Sequence, residues 1–195
     1  MNRTVGLVAP YVAWMVLMTA LPPSAGAYVV RTVVTALLLV ISIRMFRDRL
    51  AGVWRRTSLG WGFLVGLAVF VLWVLPEQFD WPLYRKFGIF GEGGTTAVAE
   101  ASAGLLAMRL LGSAFVISVA EELFFRKWLI GFAGFWGMVF LFAIEHDRWM
   151  VGAIAGVVYG FVYLRKGLGT AIVAHAVTNL VLGLWVIWRG EWQFW

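Results

Sequence analysis

The sequence predicts an all-α, polytopic transmembrane bundle of about six to eight helices around an intramembrane cavity. Three observations carry that prediction. Hydrophobic residues make up 62% of the 195-residue chain and charged residues only 13%, with a mean hydropathy of +0.87. A soluble domain has about 45–50% apolar and roughly 25% charged residues. Several apolar windows approach the length of about 20 residues that spans roughly 30 Å of hydrocarbon. Arginines gather in short connectors between those windows, as they do in membrane proteins whose orientation is set by charge.

The windows place helices at 5–21, 28–46, 59–76, 105–130, 135–147, 150–165 and 169–188. Leu21-Pro22-Pro23-Ser24 closes the first, because consecutive prolines cannot continue a helix. That first segment also has the layout of a signal peptide, with Arg3, an apolar run and Ala25-Gly26-Ala27 as a candidate cleavage site. Its long run, with Pro10 and Trp14 inside it, favours a retained helix. The segment from Pro76 to Gly104 is the one long loop; a solvated connector is its plain reading, a surface or lid segment the sharper one. Trp54, Trp61, Trp81, Trp188, Trp192 and Trp195 fall near segment ends, where aromatic belts form. No repeat, low-complexity tract or linker marks a boundary, so 1–195 reads as a single integral-membrane domain.

Arg44, Arg47, Arg49, Arg55 and Arg56 form the strongest basic cluster and are expected in the cytoplasm. Counting helices from there puts Arg3, Arg126-Lys127 and Arg165-Lys166 on the same side and Glu77 to Glu100 outside. Arg31 and Arg109, near outer helix ends, are minor exceptions. The net charge of +6 is thus a topology signal in short loops, and nucleic acid is excluded as a partner in favour of the lipid bilayer. With no cysteine in the chain, disulfides and thiolate metal sites are excluded too.

Against this apolar background stand three clusters: Glu121-Glu122-x-x-x-Arg126, Phe142-x-x-x-His146 and His175-x-x-x-Asn179. An ionisable group at bilayer depth costs about 2.5–3.5 kcal/mol even on lenient scales, so such residues read as functional by default. Glu122 and Arg126 are i,i+4 neighbours and can neutralise each other. Glu121, rotated by about 100°, points elsewhere and stays free to work, in a setting that suits a general base. Asn179 offers uncharged hydrogen bonds one turn from His175. If Gly131-Phe132-Ala133-Gly134 and Gly167-Leu168-Gly169 are cytoplasmic turns, Glu121 and His146 lie roughly 15–18 Å from the first. His175 lies roughly 9–12 Å from the second. The helix ending at His146 is too short to cross fully, so Asp147-Arg148-Trp149 must lie in backbone shielded by protein or a water-filled cavity. Glu145, Asp147 and Arg148 read as local charge compensation at that break, with Glu145 joining the site as the lesser alternative. The Gly152-x-x-x-Gly156-x-x-x-Gly160 ladder reads as close helix packing within the monomer.

Each cluster has a bland alternative: a structural ion pair, an interfacial histidine, or interhelical hydrogen bonding. In this order, with both histidines of the chain, the three resemble the CPBP intramembrane proteases, which include the CAAX prenyl endopeptidases and the Abi or bacteriocin-immunity proteins. The resemblance covers roughly 105–185, including Gly156-x-x-Tyr159-Gly160 through Leu164-Arg165-Lys166-Gly167. The spacing from Glu121 to His146 is short for the family, and Glu145-His146-Asp147-Arg148-Trp149 is unusually charged. That charged run is similar to a bacterial subgroup named as CAAX protease-related and associated with exosortase systems.

The resemblance implies endoproteolysis of a membrane-associated protein or peptide at a bacterial inner membrane. In it Glu121 and His146 activate water, His175 and Asn179 bind the oxyanion, and Glu122 with Arg126 fixes the helix of the base. Glu121, His146 and His175 could also ligate Zn2+ and leave a position for water. The same groups suffice without metal, and the lack of a His-Glu-x-x-His pair tilts the reading that way. Two other classes compete. One is a non-catalytic interaction protein, for immunity or as a scaffold of a secretion or exopolysaccharide system. The other is a proton-coupled carrier, disfavoured by the absence of paired broken helices.

Overall fold

The computed structural model describes residues 3–55, 57–79 and 102–194. Among these the chain is helical throughout. It runs α1 (Arg3–Ala20), α2 (Ala25–Arg55) and α3 (Leu59–Gln78), then a helical stretch Ala103–Glu145 that a kink at Gly134 divides. We call its parts α4 (103–133) and α5 (135–145). The series closes with α6 (Trp149–Lys166), α7 (Leu168–Arg189) and a short 3-10 turn at Trp192–Phe194. The predicted helices all appear, with ends shifted by a few residues. The largest shift is in α2, whose extra turns carry the basic residues beyond the apolar span Ala25–Met45. Most of the predicted 76–104 loop, including Trp81, lies outside the described residues, as does Trp195.

Four stretches, Ala25–Met45, Leu59–Glu77, Ala103–Glu145 and Leu168–Arg189, are long and apolar enough to cross a membrane, and Thr4–Ala20 is a shorter apolar helix. The chain is a membrane protein. Its outward faces carry large apolar side chains such as Leu37, Leu64, Trp61, Phe140 and Trp188, which a lipid solvent accepts.

Lipid tails are as apolar as leucine, so burial alone does not drive these helices together; close approach and dispersion do. Small residues supply the approach. A Cβ on Gly66 would stand 2.6 Å from the Ala174 carbonyl oxygen, and one on Gly62 2.6 Å from Val173, so α3 lies directly against α7. The glycine ladder of α6 faces α5: Cβ atoms on Gly152, Gly156 and Gly160 would meet His146 at 3.2 Å, Phe142 at 3.3 Å and Phe135 at 2.7 Å. The packing expected of that ladder is therefore found within the chain. On the other side Tyr11 of α1 stacks on Phe124 of α4 at 4.3 Å, and Trp14 meets Tyr28 of α2 edge-on at 5.6 Å.

Two glycines make the turns. Gly134 (φ 73°, ψ 174°) and Gly167 (φ 85°, ψ 171°) adopt backbone conformations that a Cβ disfavours, and each reverses the chain almost by itself. Gly134 is the midpoint between Glu122 and His146, and also between Arg126 and Phe142. The hairpin it forms brings each pair level, and the Arg126 guanidinium rests 4.1 Å above the Phe142 ring.

Candidate active site

α4 is not a uniform α-helix. It turns π-helical at Gly112–Ile117 and again at Glu122–Leu129, with one α turn, Ser118–Glu121, between. A π segment widens the turn and is often found at functional sites. Here the second one begins at the acids. Nothing in the hydropathy pattern signals it, because its residues keep the same apolar spacing.

Glu122 and Arg126 form the expected pair, Oε1 to Nη1 at 3.2 Å, with neither side chain exposed. Arg126 is held by faces as much as by charge: its guanidinium lies 4.1 Å from the Phe142 ring centre, 5.4 Å from Tyr159 and 5.8 Å from Phe125. Such cation–π contacts gain about 2 kcal/mol or more where water is excluded. They offset part of the cost of burying the charge.

The expectation that Glu121 points away from its neighbour is corrected. Both acids reach His175 of α7. Glu122 Oε1 lies 2.9 Å from Nδ1, and Glu121 Oε2 lies 3.5 Å from Nε2. The two ring nitrogens sit on opposite edges of the imidazole, so carboxylates separated by about 100° on one helix can flank it from both sides. The Nδ1 contact is a hydrogen bond; the Nε2 contact is an ion-pair approach. Oε2 of Glu121 accepts no hydrogen bond from the described residues.

His146 is placed differently. It follows the last residue of α5, and its Nδ1 lies 2.7 Å from the Phe142 carbonyl oxygen. A carbonyl only accepts, so Nδ1 carries the proton and Nε2 is left as an acceptor. Trp73 of α3 packs edge-on against the ring at 5.3 Å, and Phe142 lies 4.6 Å away. His146 thus lines the same cavity as Glu121, while His175 approaches the Glu121 carboxylate directly.

Asn179, one turn beyond His175, uses its Nδ2 to donate to the Ser113 carbonyl oxygen at 2.9 Å, which ties α7 to the first π segment of α4. The second hydrogen of that amide nitrogen remains for another acceptor. Two residues that motif reading gave no role complete the setting. Tyr159 of α6 stacks on His175 at 4.9 Å, and its hydroxyl donates to Thr178 Oγ1 at 2.6 Å. Thr178 Oγ1 in turn lies 2.9 Å from the Gly66 carbonyl oxygen of α3. A tyrosine inside the glycine ladder and a threonine one turn from the histidine were the available signals.

These groups share one cavity of about 230 Å3. Glu121, His175, Tyr159 and Ala155 lie along it with Phe142, His146, Asn179 and Ser113. Glu145 also lines it. Arg148 is buried, but its partners are Glu77 Oε2 of α3 at 3.4 Å and the Gln193 carbonyl oxygen at 2.9 Å, with the Phe194 ring 4.2 Å away. Arg148 at the break is thus tied to α3 and to the chain after α7. The chain break after Glu145 lies at the wall of the cavity, which Glu145, His146, Asp147 and Arg148 all line.

The zinc alternative meets a poor donor set. Among the described residues no three His, Cys, Asp or Glu side chains converge in a way that could hold a metal ion. Both nitrogens of His175 face carboxylates, and Nδ1 of His146 is taken by the Phe142 carbonyl oxygen. Glu121, His146 and His175 as placed do not fit a three-ligand centre.

The comparisons agree with the motif reading. The family model described as "Rce1-like: Type II CAAX prenyl endopeptidase Rce1-like" matches residues 102–181. The chain matches no curated protein and no solved structure. The stretch that carries the acids, both histidines and Asn179 is thus similar to the type II CAAX prenyl endopeptidases, in keeping with the CPBP intramembrane protease family that its three clusters resemble.

Proposed function

We propose that this chain is an intramembrane endopeptidase that cleaves a membrane-associated protein or peptide with a glutamate-activated water. The observation that carries the reading is His175 held between Glu121 and Glu122 at the wall of a cavity wide enough for several waters. A purely structural ion pair needs only Glu122 and Arg126. The second acid and both histidines facing the same space are then unexplained, and the family match adds weight to catalysis.

The residues divide the work as follows. Glu121 is the base: its carboxylate takes a proton from water as the water oxygen bonds to the scissile carbonyl carbon. His175, itself oriented by Glu122 and by the Tyr159 ring, flanks the carboxylate of Glu121 and holds it in place. His146 Nε2, the free acceptor of a fixed tautomer, orients the water. The spare N–H of Asn179 faces the developing oxyanion. Collapse of the tetrahedral intermediate breaks the C–N bond, and the proton held by Glu121 passes to the departing amine. Carboxyl and amino termini are released, and the site returns to its starting charge. In this division His175 supports the base rather than the oxyanion.

The setting we propose is the inner membrane of a bacterium. The subgroup associated with exosortase systems rests on the charged run around His146, and the genes beside this one would test it. The activity test compares peptide termini in membranes carrying the wild type or Glu121→Gln. New termini that appear only with the wild type are expected. Identical termini, with the variant fully functional in cells, would move the protein to the scaffold reading.

A further inference from the structure

The cavity has a direction. Among the described residues its rim is formed by Met18 at the end of α1, Trp73 near the end of α3, Asp147 and Arg148 just before α6, and Gln193 after α7. These positions all belong to one end of the bundle. Between the acids and the opposite end lie Phe125, Leu129, Met138, Leu168 and Ile172, all buried, which close the cavity from that side among the described residues.

The two ends differ in charge. The closed end carries Arg44, Arg47, Arg49 and Arg55 in the last turns of α2, and Arg165-Lys166 at the end of α6. Among the described residues the open end holds the scattered cations Arg31, Arg109, Arg148 and Arg189, with no cluster comparable to that of α2. Lysine and arginine close to helix ends keep their side of the membrane cytoplasmic. The closed end is therefore the cytoplasmic one.

Building on the protease reading, we infer that the site is loaded from the extracytoplasmic face, and that its substrate class is a peptide segment that dips into the membrane from its outer side. Such a segment enters past Gln193 and Met18 and reaches Glu121 without crossing the bilayer. The cytoplasmic tail of a membrane protein cannot reach the same atoms, because the plug of Phe125, Leu129 and Met138 stands in between.

The chain has no cysteine, so single cysteines report cleanly. Gln193→Cys and Met18→Cys mark the rim; Arg165→Cys and Leu59→Cys mark the closed end. Spheroplasts are treated with a membrane-impermeant maleimide, before and after lysis. Both rim variants are expected to label in intact spheroplasts at least tenfold more than the two closed-end variants, which label fully only after lysis. The reverse pattern, or equal labelling at both ends before lysis, overturns the inference. Two positions at each end keep the result readable if one variant fails to fold. Labelling reports orientation and not cleavage, so it can fail while proteolysis stands, and Glu121→Gln can refute proteolysis without touching orientation.

Discussion

His175 Nδ1 and Glu122 Oε1 meet at 2.9 Å across a sequence separation of 53 residues, in the buried interior between α7 and α4. Glu122 serves two partners at once, since the same oxygen lies 3.2 Å from Arg126. This one carboxylate couples a structural ion pair to the histidine that flanks Glu121. Stability and chemistry are linked through it.

Removing one partner of that pair should be far worse than removing both. Arg126→Met leaves Glu122 buried without its cation and is expected to destabilise the protein by about 3–5 kcal/mol. The double variant Glu122→Gln/Arg126→Met should recover at least half of that. Unfolding in detergent micelles, followed for both variants, measures the difference. Simple additivity would show that the pair carries no special weight.

Glu121→Gln keeps the shape of the side chain and removes the base. Processing should fall by about 10²–10⁴-fold, the usual range for a positioned acid–base group, with the unfolding midpoint unchanged. Retained processing at the wild-type rate would sink the assignment.

Tyr159 separates stacking from hydrogen bonding. Tyr159→Phe keeps the ring on His175 and loses the bond to Thr178; its net cost should be about 0.5–1.5 kcal/mol, with most activity retained. Tyr159→Leu loses the stacked face as well, and activity should drop at least a further tenfold. The measured quantities are micellar stability and turnover of the two variants side by side.

The close contact between α3 and α7 predicts opposite outcomes at two glycines. Gly66→Ala drives a Cβ into a backbone carbonyl, which cannot swing aside, and should cost about 1–3 kcal/mol. Gly131→Ala meets nothing within 4 Å in its helix and should be neutral or stabilising by about 0.5–1 kcal/mol. Melting curves of the two variants decide it.

The donor set also predicts indifference to chelators. Purified protein treated with EDTA or phenanthroline should keep its activity, because Glu121, His146 and His175 do not converge as ligands. Loss of activity restored by Zn2+ alone would contradict this.

Much of this was legible in the sequence, for identifiable reasons. Helices in lipid must satisfy their own backbone and must be long and apolar, so α1 to α7 could be read from hydropathy, prolines and glycines. The site residues were legible because charge is costly at that depth: Glu121, Glu122, Arg126, His146 and His175 stand out wherever they face. The depth argument around Gly134 worked because a hairpin pairs residues at equal distance from its turn. Tyr159 and Thr178 were harder to single out, since a tyrosine and a threonine cost little in a membrane interior and leave no anomaly to notice.

Composition and spacing by themselves determined the membrane class, the helix order, the three clusters and their common depth. Those follow from one-dimensional rules of length, period and transfer cost. Tertiary structure alone decided how the polar groups divide. Which histidine meets which acid depends on helix rotation, and two π segments in α4 alter that rotation without changing the apolar pattern. The same is true of the cavity's open end. Side chains from α1, α3, α6, α7 and the chain after it form that rim, and only packing brings them together.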